Sequence, residues 1–208
     1  MTKQKQKGAQ SQGAALPAKR PGGMAIAADW PVYEVLLSQG WDQPQALVII
    51  LIARRSPNSG KVAVASLLVD LSCLGVKSAQ VRLHKDLAEY TTGLRAHITG
   101  QQPMMAADFD LAAKIVLTGL AYAASFGFKP DPVFAQAEPL LNGANSAACR
   151  TPVKTGGPEG KPLFINGPYD DVNKIIAQLQ RTVGEGNFHY MIGAGPDEPL
   201  LLNSLDEA

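Results

Sequence analysis

The sequence predicts a single α+β domain, on three observations. Residues 46–53 (ALVIILIA) are an unbroken apolar run rich in β-branched side chains. Residues 108–128 carry an apolar helical pattern with stop and start signals at both ends. Residues 161–193 read as strand, tight turn, amphipathic helix, turn, strand. The domain is placed at residues 28–193, between a basic arm at 1–24 and an acidic tail at 194–208. A chain of 208 residues that is 46% hydrophobic has enough apolar surface for one substantial core.

The arm carries Lys3, Lys5, Lys7, Lys19 and Arg20 and no acid. Its Lys, Gln, Gly, Ala and Pro offer too little apolar surface to offset chain entropy, so it is expected to be disordered when free. It is either a solubilising tail or an arm that folds onto a polyanion. Residues 29–43 (DWPVYEVLLSQGWDQ) read as a short helix with Pro31 in its first turn and Gly40 at its end, with a strand as the alternative. Trp30 and Trp41 fit a core or a lid better than a stacking platform.

Residues 46–53 are expected to be a strand buried on both faces. Residues 54–61 (RRSPNSGK) are turn chemistry with three cations, and residues 62–71 (VAVASLLVDL) are a second strand, so the two make a long β-hairpin with a basic tip. A bend at 71–77 follows. Residues 78–98 read as a helix, broken near Thr91, Thr92 and Gly93, whose mixed charges suggest a solvated face. Residues 108–128 are apolar nearly all round and predict a central buried helix, capped by Asp108 and ended by Gly127. Ala112, Gly119, Ala123 and Ala124 would let another element approach it closely. Asp131 and Pro132 start a shorter helix to about Leu141, and residues 145–160 are an irregular loop with Arg150 and Lys154.

In the last unit Val172, Ile175, Ile176, Leu179 and Val183 make one apolar stripe, while Lys174, Gln178 and Arg181 lie off it. Asp170 or Asp171 caps the first turn and Gly184 ends the helix. A strand–helix–strand unit of this length is expected to be parallel. The Asn166–Gly167–Pro168 turn invites a phosphate-site reading, but two carboxylates already stand at that helix start and would repel an anion.

Charge and cysteine content narrow the function classes. Taking the arm's five cations and the tail's four acids (Asp197, Glu198, Asp206, Glu207) from the net charge of +1 leaves the body at zero, unlike a broad nucleic-acid-binding face. Two cysteines, Cys73 and Cys149, far apart and without metal-ligand spacing, argue against a disulfide scaffold or a zinc site and fit a reducing cytosol. The longest apolar run is eight residues, short of a membrane span, and the N-terminus lacks the apolar core of a signal peptide. A cytoplasmic location without membrane contact is expected. No glycine-rich nucleotide motif is present, and neither cofactor nor metal is expected.

Asp70 is the notable acid. A carboxylate late in an apolar strand is costly unless it is paired, hydrogen-bonded or at a rim. Such acids hold metals in some hydrolases, and more commonly bond a loop or an arginine. Cys73 is expected to be an inert buried thiol.

Three pieces, LLVDLSCLGVK, IVLTGLAYAASFGFKPDPVF and FINGPYDDVNKIIAQL with GNFHYMIG, together resemble a family of bacterial proteins to which no activity is attached. The resemblance spans most of residues 46–193. It implies one domain, and it implies no catalytic residue or cofactor.

Three functions follow as expectations. The first is a non-enzymatic accessory subunit of a larger bacterial assembly, contacting RNA or DNA phosphate or a ribonucleoprotein through Lys3, Lys5, Lys7, Lys19, Arg20, Arg54, Arg55 and Lys61. The alternative is a metal-dependent hydrolase or nuclease using Asp70 with His84 or His189, because general acid–base work needs two titratable groups within reach. A protein-binding subunit using the 108–128 helix or a sheet edge is the third reading.

Overall fold

A computed structural model describes residues 23–44 and 47–193, and the backbone of Leu201–Leu202. Strands β1 (Val32–Ser38), β2 (Leu47–Arg55), β3 (Val62–Asp70), β4 (Gly75–His84) and β5 (Met104–Ala106) form one antiparallel sheet in the order β4-β3-β2-β1-β5. Helices cover both faces of it. Alternate residues of β2 face opposite ways. Val48, Ile50 and Ile52 join one core cluster, while Leu51 and Ala53 join another. This is why that stretch is apolar at every position.

The first face is covered by α1 (Gly23–Ala27), α4 (Phe109–Ser125) and α5 (Phe134–Ala137), through Ala27, Ala112, Ile115, Val116, Phe134 and Ala137. The second is covered by a continuous helical stretch made of α2 (Leu87–Tyr90), a π turn at Thr91–Arg95 and α3 (Ala96–Gln101). Tyr90 and Ile98 pack there on Leu36, Leu51, Val62 and Val64. At the break expected near Thr91 the helix instead continues through this π turn. Tyr90 donates from its hydroxyl to Glu34 Oε1 at 2.7 Å, and Arg95 Nε donates to both Glu34 oxygens at 2.9 and 3.1 Å, tying the helix to β1.

The C-terminal unit is β6 (Leu163–Ile165), α6 (Val172–Val183) and β7 (His189–Ile192), with β6 and β7 parallel as expected. Asp171 caps α6, accepting from Lys174 N at 3.1 Å. Asp170 serves elsewhere: its Oδ2 sits 2.6 Å from Lys77 Nζ and accepts from Gly167 N at 2.7 Å. The Asn166–Gly167 turn is therefore closed by a carboxylate, as a structural turn. Phe164, Leu179 and Phe188 pack on Cys73, Leu74 and Phe126, forming a third core cluster. Leu163 N donates to Ser72 O at 3.0 Å, which bonds the start of β6 to the β3–β4 turn.

Three expectations are corrected. Residues 29–43 hold strand β1 rather than a helix. Apolar positions 32, 35 and 36 fit a helical face, but β1 pairs with β2 on one side and β5 on the other, and that pairing decides the outcome. Residues 78–84 belong to β4, so the helix begins only at Leu87. The 108–128 helix is buried on one side only: Leu117, Ala121 and Ala124 are exposed. Beside the 28–193 body, Ala27 is fully buried, and the backbone of β8 (Leu201–Leu202) pairs antiparallel with β7.

Candidate functional site

Asp70 ends β3, and its carboxylate turns the chain into β4. Its Oδ1 accepts from Ser72 N at 2.7 Å and Cys73 N at 3.1 Å, and its Oδ2 accepts from Leu74 N at 3.2 Å. Burial pushes the Asp70 carboxyl up, opposed by these three N–H groups and by Lys77. Cys73 is fully buried, and burial together with Asp70 pushes its thiol well above the ordinary range, as an inert thiol requires. Asp70→Ala is expected to cost about 2–4 kcal/mol, because buried N–H groups lose their acceptor. Asp70→Asn should cost less, because its amide oxygen still accepts. Urea unfolding of both variants checks this.

The structure does not bring Asp70 and His84 together. Asp70 pairs with Gly75 at one end of the β3–β4 ladder, and His84 pairs with Val62 at the other. Eight residues of strand separate them, about 26 Å at the usual rise. His84 is buried, with its ring 5.7 Å from that of Tyr90 and its Nδ1 3.9 Å from Glu89 Oε1. His189 lies opposite Leu163 in the C-terminal sheet, and no hydrogen bond or ion pair links it to Asp70. Among the described residues no group of three or more His, Cys, Asp or Glu is placed to hold a metal ion.

The cations divide differently from the sequence expectation. Arg54 is buried at 4% exposure, so it is not a phosphate contact. Its Nε donates to Leu140 O at 3.0 Å and its Nη1 to Trp30 O at 2.6 Å; its Nη2 donates to Asn142 O, and the guanidinium lies 5.2 Å from the Phe109 ring centroid. One guanidinium thus joins β2 to the chain at Trp30 and at Leu140 and Asn142, two segments that also meet each other where Asn142 Nδ2 donates to Asp29 Oδ1 at 3.2 Å. Burial lowers its pKa, with Asp29 opposing. Lys3, Lys5, Lys7, Lys19 and Arg20 lie outside the described residues.

Arg55 and Lys61 are exposed, and β4 brings two further exposed cations beside them. Val62 pairs with both Arg55 and His84, and Val64 pairs with Arg82. Arg55 and Arg82 therefore share one sheet face, while Lys61 and Lys85 extend the two strands by one residue each. None of the four is in an ion pair among the described residues. The acids nearby are engaged locally. Glu89 Oε2 takes Lys85 N at 2.7 Å, and Asp86 caps α2 by accepting from Glu89 N at 2.8 Å. The tip between β2 and β3 is held by Ser56, whose Oγ accepts from Ser59 N at 3.2 Å, and by Gly60 at φ +70°. Arg82 and Lys85 are absent from the sequence-based set because residues 78–98 read as a helix. The signal that places them is the alternation of Ala79, Val81 and Leu83 with Ser78, Gln80 and Arg82.

A cleft of about 860 Å³ opens at the opposite end of the sheet. The β1–β2 loop supplies Trp41, Asp42 and Gln43, the β3–β4 turn supplies Leu71 and Ser72, and the other wall is the 151–160 segment. That wall is fixed by hydrogen bonds from Gly156 N to Leu71 O at 3.0 Å, from Gly157 N to Lys161 O at 2.7 Å, and from Lys114 Nζ to Thr151 O at 2.8 Å.

No family model, curated protein or solved structure matches the chain. No helix among the described residues is long and apolar enough to cross a membrane.

Proposed function

We propose that the chain is a non-enzymatic binding subunit of a larger assembly, contacting the phosphate backbone of RNA or DNA through Arg55, Lys61, Arg82 and Lys85. The observation that carries this reading is the convergence of four exposed, unpaired cations at one end of three adjacent strands. Cations on an edge strand also discourage edge-to-edge pairing, which accounts for Arg82 and Lys85 alone. Arg55 lies on the inner strand β2 and Lys61 at the hairpin tip, so protection of that edge does not account for them. Phosphate contacts of this kind fix position on a nucleic acid without reading sequence. The basic arm adds to the same attraction. The hydrolase reading loses its Asp70–His84 pair, and Asp70 has a structural task that suffices for it.

The test is a salt titration of binding to labelled duplex DNA and to the matching RNA duplex. Replacing all four cations by Ala is expected to weaken binding and to flatten log affinity against log salt by up to three or four units, roughly 0.9 for each DNA phosphate that is no longer neutralised. Asp70→Asn should leave binding unchanged. An unaltered slope in the four-cation variant would sink the proposal.

A further inference from the structure

We propose that the cleft walled by the β1–β2 loop and the 151–160 segment is a separate site, for a small organic carboxylate with an apolar body. It stands about 27 Å from the basic end of the sheet, the length of the nine residues of β2. Its volume, about 860 Å³, falls in the range of clefts that hold drug-sized ligands, on the order of 300–1,000 Å³. Its walls are built in advance: the Asp70 turn sets the floor, and backbone hydrogen bonds hold the 151–160 wall.

Two residues of its lining are buried and carry polar groups without a hydrogen bond among the described residues. Trp41 is 9% exposed and Ser72 5% exposed, and among the described residues neither the indole N–H nor the Ser72 hydroxyl makes a hydrogen bond. The only buried side-chain nitrogen or oxygen atoms sealed off without a partner among the described residues are Nε2 of His84 and of His189, so the Trp41 and Ser72 atoms reach accessible space. Both residues line the cleft.

The chemistry of the wall is weighted toward donors. An indole N–H only donates, an ammonium only donates, and a hydroxyl does either. Trp41, Lys154, Ser72, Thr151 and Thr155 supply those groups, and Lys154 is exposed and free of any ion pair among the described residues. Among the described residues that line the cleft Asp42 is the one carboxylate, and it is exposed; Glu159, in the same 151–160 segment, is not part of the lining and pairs with Lys161 at 2.8 Å. A ligand that fits must bring acceptors to the inner donors and a negative charge to Lys154. Its apolar part then lies against Trp41, Leu71 and Pro152. An amine would find a charged partner only in Asp42.

The test uses the full-length chain carrying Trp30→Phe, so that Trp41 is its only tryptophan, with three probes that share one body: phenylbutyrate, phenylbutyramide and phenylbutylamine. Trp41 fluorescence and the thermal midpoint are read against probe concentration. Phenylbutyrate is expected to bind saturably, about tenfold more tightly than the amide, with the amine weakest. Lys154→Ala should remove the preference for the acid over the amide. Ser72→Ala should weaken both, and Asp42→Asn should tighten the acid. Failure of phenylbutyrate to saturate, equal binding of the amine, or indifference to Lys154→Ala and Ser72→Ala would overturn the assignment. Since Arg55, Lys61, Arg82 and Lys85 are intact in every variant, this outcome is independent of nucleic-acid binding.

Discussion

Arg54→Ala is expected to destabilise the domain by about 3–5 kcal/mol, the cost of breaking a buried, multiply bonded charge site. The substitution leaves the carbonyls of Leu140, Trp30 and Asn142 without their donor and opens space beside Phe109. Unsatisfied buried acceptors cost about 1–3 kcal/mol each, less where water reaches them. Arg54→Lys should recover only part of the loss, since one ammonium does not reproduce the planar fork. Arg55→Ala, one residue away and exposed, should change stability by no more than about 0.5 kcal/mol. Urea unfolding of the three variants measures this. Equal losses for Arg54→Ala and Arg55→Ala would show that the two arginines are not divided between fold and surface.

The second large effect is expected at Gly75, where the β3–β4 turn meets α4. A Cβ there would stand 2.9 Å from both Ala123 Cβ and Gly119 O, and the backbone is at φ +68°. Gly119 faces it across the contact, and a Cβ on Gly119 would stand 2.9 Å from Val69 Cγ1. Gly75→Ala combines a left-handed conformation, about 1–2 kcal/mol for an L residue, with overpacking of about 1–3 kcal/mol. The sum is a loss of about 2–5 kcal/mol. Gly100→Ala is the control. Gly100 sits in α3 with open space around it, and the change should be neutral or stabilise by up to about 1 kcal/mol. Thermal unfolding of both variants tests the close packing of α4, and equal midpoints would contradict it.

How far the fold was legible depended on where local and tertiary signals agreed. The capping of α4 by Asp108, the end of α6 at Gly184, and the parallel β6–α6–β7 unit all follow from short-range chemistry, and the structure has them. Gly119 and Ala123 were readable as positions of close approach, and Gly75 comes against both, whereas Ala124 of the same set is exposed. Strand β1 was not readable in the same way. Val32, Val35 and Leu36 suit a helix face, and only pairing with β2 and β5, distant in sequence, selects the strand. The candidate site suffered from this directly. Arg82 and Lys85 come beside Arg55 and Lys61 only once β4 is a strand, and nothing in the dipeptide Arg54–Arg55 says which arginine turns inward. Alternation decides it: Arg54 shares the parity of Ile50 and Ile52, whose face is covered by α4 and α5. The cleft joins residues 41–43, 71–72 and 151–160, which no local pattern associates.

The most direct test of the proposed nucleic-acid contact is a map of amide chemical-shift changes as an RNA duplex is added to the full-length chain at low salt. Among the described residues the changes are expected to concentrate at 55–61 and 82–85, to fade as salt is raised, and to leave residues 41–43 and 151–160 unmoved. Changes centred on the cleft or on the exposed side of α4, or no changes at all, would contradict it.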